Sequence, residues 1–255
     1  MRTGRMAIFS IALASALLAA CQANIPTPTE LETVRTSSDA YLAYARGDCA
    51  TVQRLVDRER LEAWTFDEMR HSTLLLQGFC SEIEGDIETA RDLYRRLILE
   101  APNSFASYDA VERTRTLKLI DEDPDYEQHV RTARDRIDPD KHRRTPIDRV
   151  SAVYPPLAKA RGIGGFVVVE FGITARGDTQ NPIVVDSRPP LLFDGSAIRA
   201  VRRWQYIRQP SKGEEDRQLI RILFKQDGTA NPTLEEIVDP PLEEPTAERD
   251  SQASS

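Results

Sequence analysis

The chain is poor in the residues that build reactive centres. It has three cysteines and three histidines in 255 residues. His71, His129 and His142 are scattered, with no ligand spacing between them, so no metal site is expected. No Gly-x-Ser-x-Gly occurs; Ser196 stands in Asp-Gly-Ser at the start of a helical pattern. A phosphate loop and paired His or Cys ligands are missing too, so the chain is read as a non-enzyme without cofactor or small-molecule substrate. Asp186 and Asp194 pair only on paper. There is no basic excess either: 34 Lys and Arg face 41 Asp and Glu, which argues against nucleic acid as partner. An apolar run opens the chain, but Met6–Ala20 holds 15 residues where a membrane span needs about 20. The length allows one or two domains.

Arg2 and Arg5 precede that apolar run, and Leu18-Ala19-Ala20-Cys21 ends it. This matches the lipobox of bacterial lipoproteins, which implies a signal peptide over 1–20, acylation of Cys21 and a mature chain starting there. The alternative is an ordinary secretory signal with Cys21 incidental. Several acyl chains exceed the two-signal threshold for stable anchoring. Gln22 in place of Asp favours the outer membrane, by resemblance to enterobacterial lipoproteins. Without residues 1–20 the chain keeps 32 basic against 41 acidic side chains. Residues 21–33, rich in Pro and Thr, read as a tether.

Residues 34–120 are helical in pattern, with an internal repeat. Arg46-Gly47-Asp48-Cys49 aligns with Glu84-Gly85-Asp86-Ile87 at an offset of 38 residues. In each copy Gly supplies a left-handed helix stop and Asp the next N-cap. Leu74, Gly78, Ala90, Tyr94, Leu97 and Pro102 fall at the spacing of a tetratricopeptide repeat, so the segment resembles one good and one degenerate unit of that kind. In such a stack Cys49 opens the second helix of one unit and Cys80 lies in the first helix of the next. The pair then reads as a disulfide, in keeping with an exported protein; two buried thiols are the alternative. Residues 121–149 are charged and carry prolines, and read as a linker with one further helix over Tyr126–Ile137.

From Val150 the pattern becomes β-β-α-β, an α+β sandwich behind an all-α domain. Gly165–Thr174 and Pro182–Ser187 read as a hairpin, and Leu219–Lys225 as a closing strand. Between them a helix buries Phe193, Ala197, Ala200, Val201 and Trp204, with Asp194 as cap and Phe193 stapled to Ile198. Arg199, Arg202 and Arg203 point elsewhere and read as a solvated face; the alternative is a surface that meets an acidic partner.

Tyr154-Pro155, Gly165 eleven residues on, Asp178, Ser187, Ala197-x-x-Ala200-Val201-x-x-Trp204-x-Tyr206 and Ile222-Leu223-Phe224-Lys225 stand in order. Together they resemble the C-terminal domain of the TonB energy-transducer family, over about 150–230. The resemblance implies that Tyr154, Pro155, Gly165, Trp204 and Tyr206 are mainly structural. It also implies that the closing strand, Leu219, Ile220, Arg221, Ile222, Leu223, Phe224 and Lys225, accepts an extended peptide of an outer-membrane receptor by edge addition; the alternative is that the linker, or the tail from Asn231 to Ser255, covers that edge from within the chain. The chain departs from the family in having a helical domain where a Pro-rich spacer stands, Arg208 where Pro is common, and Ser151-Ala152-Val153 before Tyr154. Energy transduction is therefore not carried over. The reading is a lipid-anchored, periplasm-facing protein-binding module, its partner a protein such as a TonB-dependent outer-membrane receptor. The alternative is a structural adaptor that binds peptidoglycan or scaffolds a complex through its helices. Residues 231–255, acidic and rich in Pro, read as a disordered tail.

Overall fold

A computed structural model describes residues 27–56, 67–136, 144–210 and 216–233. The expected signal peptide, Cys21 and most of the acidic tail lie outside the described residues.

The first helix, α1 (Pro28–Ala45), starts where the tether was expected to continue. Thr27 and Glu30 explain this, since they form a reciprocal capping box and Pro28 fits the first helical turn. Helices α2 (Cys49–Leu55), α3 (Asp67–Ile83), α4 (Ile87–Glu100) and α5 (Phe105–Glu122) follow as an array in which each helix packs on the next. The repeated Gly-Asp does what its chemistry dictates. Gly47 and Gly85 have φ of 76° and 85°, and the Asp48 and Asp86 carboxylates accept from the Thr51 and Thr89 amides. Those bonds hold both carboxyls below their usual range. Gly78 lets α3 and α4 approach, because a Cβ there would sit 2.5 Å from the Tyr94 ring. Cys49 and Cys80 form a disulfide that ties α2 to α3.

The segment expected as a linker is more ordered than its charge suggests. It completes α5, forms α6 (Tyr126–Arg136) and supplies β1 (Pro146–Asp148). The helix expected at Tyr126 is present.

A short helix α7 (Pro156–Ala160) leads into β2 (Gly165–Ile173) and β3 (Thr179–Arg188). Then come α8 (Asp194–Val201), β4 (Gln205–Tyr206), β5 (Arg217–Phe224) and β6 (Ala230–Thr233). β1 and β4 form a separate two-stranded ribbon; the main sheet is antiparallel, in the order β3-β2-β5-β6. Alternation sends Val167, Val169, Phe171 and Ile173 to one face, all fully buried. With Ile220, Ile222 and Phe224 they form a core under α8, each large apolar side chain contributing about 1.5–3 kcal/mol. Helix α6 contacts β3. The α+β architecture agrees with the sequence reading.

Candidate functional site

The Trp-x-Tyr motif is core. Trp204 and Tyr206 are each about 1% exposed. Trp204 Nε1 donates to the Val150 carbonyl at 2.8 Å, and its ring meets Phe171 edge-on at 5.8 Å. The Arg149 guanidinium lies over both rings. Tyr154 packs edge-on against Phe193 and Phe224, and its hydroxyl donates to the Ile163 carbonyl at 2.5 Å. A Cβ on Gly165 would meet the Arg188 carbonyl oxygen at 2.0 Å. Each of these motif residues is thus explained by packing.

The closing strand differs from expectation. It spans Arg217–Phe224, and Lys225 lies in the turn that follows. Its outer side is not an open edge: Arg221, Ile222, Leu223 and Phe224 pair with Thr233, Pro232, Asn231 and Ala230. The Lys225–Thr229 turn makes this possible. Lys225 donates to the Thr229 carbonyl, Gly228 adopts φ 83°, and Asp227 accepts from the Thr229 amide and hydroxyl. The chain itself thus occupies the C-terminal half of the expected acceptor strand. The occupant is short, and Pro232 has no N–H for the ladder. The inner residues Ile220, Ile222 and Phe224 belong to the core, so an added strand meets backbone there rather than those side chains.

At the start of β5, Arg217 Nε donates to Glu170 Oε1 at 2.6 Å, and His129 Nε2 lies 2.8 Å from Glu170 Oε2. Glu170 is fully buried, so α6, β2 and β5 meet on one carboxylate. A cavity of about 500 Å³ opens beside it, lined in part by Arg115, Lys118, Tyr126, Asn181 and Arg202. Its cations already have acids: Arg115 and Arg202 share Glu112, Lys118 has Glu122, and Arg217 has Glu170. Among the described residues no group of three or more His, Cys, Asp or Glu is arranged to hold a metal.

Of the three arginines expected on a solvated face, Arg203 is exposed, whereas Arg199 and Arg202 meet acids. Arg199 Nη1 donates to Asp109 at 2.6 Å, and Arg202 Nη1 lies 2.8 Å from Glu112. Both acids lie on α5. Behind them Arg113 forms a buried bidentate pair with Glu82 of α3 and sits 3.9 Å from Asp194. The Tyr94 hydroxyl donates to Glu82 at 2.8 Å, and the Tyr44 hydroxyl to the Pro190 carbonyl at 2.6 Å. Asp194 does not cap α8 as expected; Phe193 takes the cap position without a side-chain bond, and the Asp194 side chain is buried beside Arg113. The helical array therefore grips α8 and the loop before it. Gly195 permits the contact, since a Cβ would lie 2.3 Å from Asp109 Oδ1. Sequence reasoning missed this cluster. Its one signal was the placement of Asp109, Glu112 and Arg113 among Ala106, Ala110 and Leu117 on the apolar side of α5.

The fold and motif packing define a small α+β domain, clamped by one helix to an all-α array. Residues 150–226 match the family model described as the Gram-negative bacterial TonB protein C-terminal, so the chain carries a domain of that family. Protein TonB of Salmonella typhimurium is 31% identical over 85 residues, 33% of this chain and 34% of that protein. Protein TonB of Escherichia coli is 34% identical over 83 residues, 32% and 34% of the two chains. Protein TonB of Pseudomonas aeruginosa is 35% identical over 80 residues, 31% and 23%. The chain thus spans about a third or less of the length of these curated relatives.

Proposed function

We propose that this protein is a protein-binding module of the bacterial cell envelope, which captures an extended peptide of an outer-membrane transporter or other envelope protein on β5. The observation that carries the reading is the β5–β6 ladder inside a TonB C-terminal domain. The outer side of β5 accepts an antiparallel strand, and the strand now on it is four residues long with a proline in it. An incoming peptide would replace β6 or extend its ladder, drawing affinity from backbone hydrogen bonds.

Cys21 is the proposed lipid anchor, facing the periplasm from the outer membrane. No described helix is long and apolar enough to cross a membrane. The adaptor reading through the helical array has less support, because α8 and its preceding loop already lie against α1 and α5.

The test is photo-crosslinking in living cells with the probe at Leu219. Capture of a TonB-dependent receptor supports strand exchange on β5. Products confined to the chain itself sink it. Capture by isolated peptidoglycan sacculi, with no receptor, would favour the adaptor.

A further inference from the structure

The contact between the helical array and α8 holds more acid than base. Four carboxylates meet there: Glu82, Asp109, Glu112 and Asp194. Three arginines face them: Arg113, Arg199 and Arg202. Arg115 adds a fourth cation to Glu112, but its side chain is 56% exposed and screened by water. Asp109 and Asp194 are the two acids whose compensation falls shortest. Asp109, buried, faces Arg199 of α8 and Tyr41 of α1, with Glu112 and Asp194 nearby. Asp194, also buried, is 3.9 Å from an Arg113 that Glu82 already holds in two hydrogen bonds. Ser187 and Asp186 of β3 also face it, as do Tyr44 of α1 and Tyr126 of α6. Among the described residues Asp194 Oδ1 has no hydrogen-bond partner.

We infer that this contact is a proton-tightened latch: the array holds α8 and the Pro189–Phe193 loop more firmly in acid, and loosens its hold as pH rises. This goes beyond the proposed function and does not depend on it.

The physical reason is desolvation. Burial pushes each carboxyl up to about 6, against the opposing pull of Arg199 on Asp109 and of Arg113 and the Ser187 hydroxyl on Asp194. Once the contact opens, water reaches both groups and they return to the ordinary Asp value, about 3.9. The closed form therefore binds more protons than the open form between those two values. Its extra stability is fully present below about pH 4 and lost as pH rises through about 6. From pH 7.5 to pH 5 each carboxyl should favour closure on the order of tenfold. Arg113–Glu82 lies mainly within the array and stays formed in both states, so the change falls on the contact.

The test is hydrogen exchange on the full chain, read by mass spectrometry from pH 5 to 7.5 and corrected for the intrinsic exchange rate. Protection over 190–201 should rise at least tenfold on acidification, while β2, measured in the same sample, changes much less. Asp109→Asn and Asp194→Asn, nearly isosteric and always neutral, should each flatten the response by about tenfold and keep protection high at pH 7.5. The inference fails if protection over 190–201 in the natural chain is independent of pH. It also fails if β2 follows the same curve, or if the two Asn variants together retain the full response. The pH curve of the natural chain decides even if a variant does not fold.

Discussion

Replacing Glu82 with Ala should be among the most damaging single changes in the helical array. Glu82 accepts two bonds from Arg113 and one from Tyr94, and both ionic side chains are about nine-tenths buried. Removing one partner of a buried ion pair costs about 3–5 kcal/mol, because the survivor keeps its desolvation penalty. Two local effects shift that figure in opposite directions. Asp194, 3.9 Å away, remains as a counter-charge; the Tyr94 hydroxyl loses its acceptor, worth about 1 kcal/mol. A net loss of about 3–4 kcal/mol follows. With a guanidinium slope of about 4 kcal/mol/M, the unfolding midpoint followed by far-UV circular dichroism should fall by roughly 0.8–1 M. Replacing Glu82 with Leu and Arg113 with Met together should recover much of the loss, since an apolar pair has no charge to desolvate. The Asp194 carboxyl should also titrate lower in Glu82→Ala, as Glu82 is one of the charges raising it. A midpoint change below about 0.2 M, or a double variant as unstable as Glu82→Ala, would refute the reasoning.

Other changes test separate parts of the fold. Trp204→Ala should cost about 3–5 kcal/mol and unfold the C-terminal domain, as loss of near-ultraviolet dichroism would show. Gly78→Ala should cost about 1–3 kcal/mol by overpacking against Tyr94, with thermal unfolding as the measure. Reducing the disulfide, whose cysteines lie 31 residues apart, should remove about 3–4 kcal/mol in the chain-entropy model, and Cys49→Ser with Cys80→Ser should match it. Asp86→Ala removes an N-cap and should destabilise the first turn of α4, visible as faster amide exchange there.

What could be read from the sequence was local or repeated. Gly-Asp recurring at a fixed offset specifies a stop and a cap, both formed within a few residues of each other. That repeat also brought Cys49 and Cys80 together, as the structure does. Strand β2 declared itself because its buried residues alternate, and Tyr154, Gly165, Trp204 and Tyr206 because their spacing matches a packed motif. Strand β6 was missed for an equally local reason. Ala-Asn-Pro-Thr has weak β-propensity, and only the Lys225–Thr229 turn brings it back against β5. The same shortfall hid the first turns of α1, where a run of prolines and threonines looked like tether although Thr27 and Glu30 cap a helix.

The partners of Arg199 and Arg202 failed to declare themselves because periodicity reports where apolar side chains go and is silent on who meets the charges. Arg199 finds Asp109, and Arg202 finds Glu112, each 90 residues away in sequence. On an isolated α+β domain those arginines would face water; the helical array turns them into a contact. That contact falls on α8 and the loop after β3, whereas β6 lies beyond β5 at the opposite end of the sheet order. Strand exchange at β6 and opening of the array from α8 therefore involve different residues. Crosslinking at Leu219 should consequently be unchanged in the Asp109→Asn and Asp194→Asn variants. If those variants lose receptor capture while keeping their fold, the two ends of the sheet are coupled, and the array regulates the strand-accepting side.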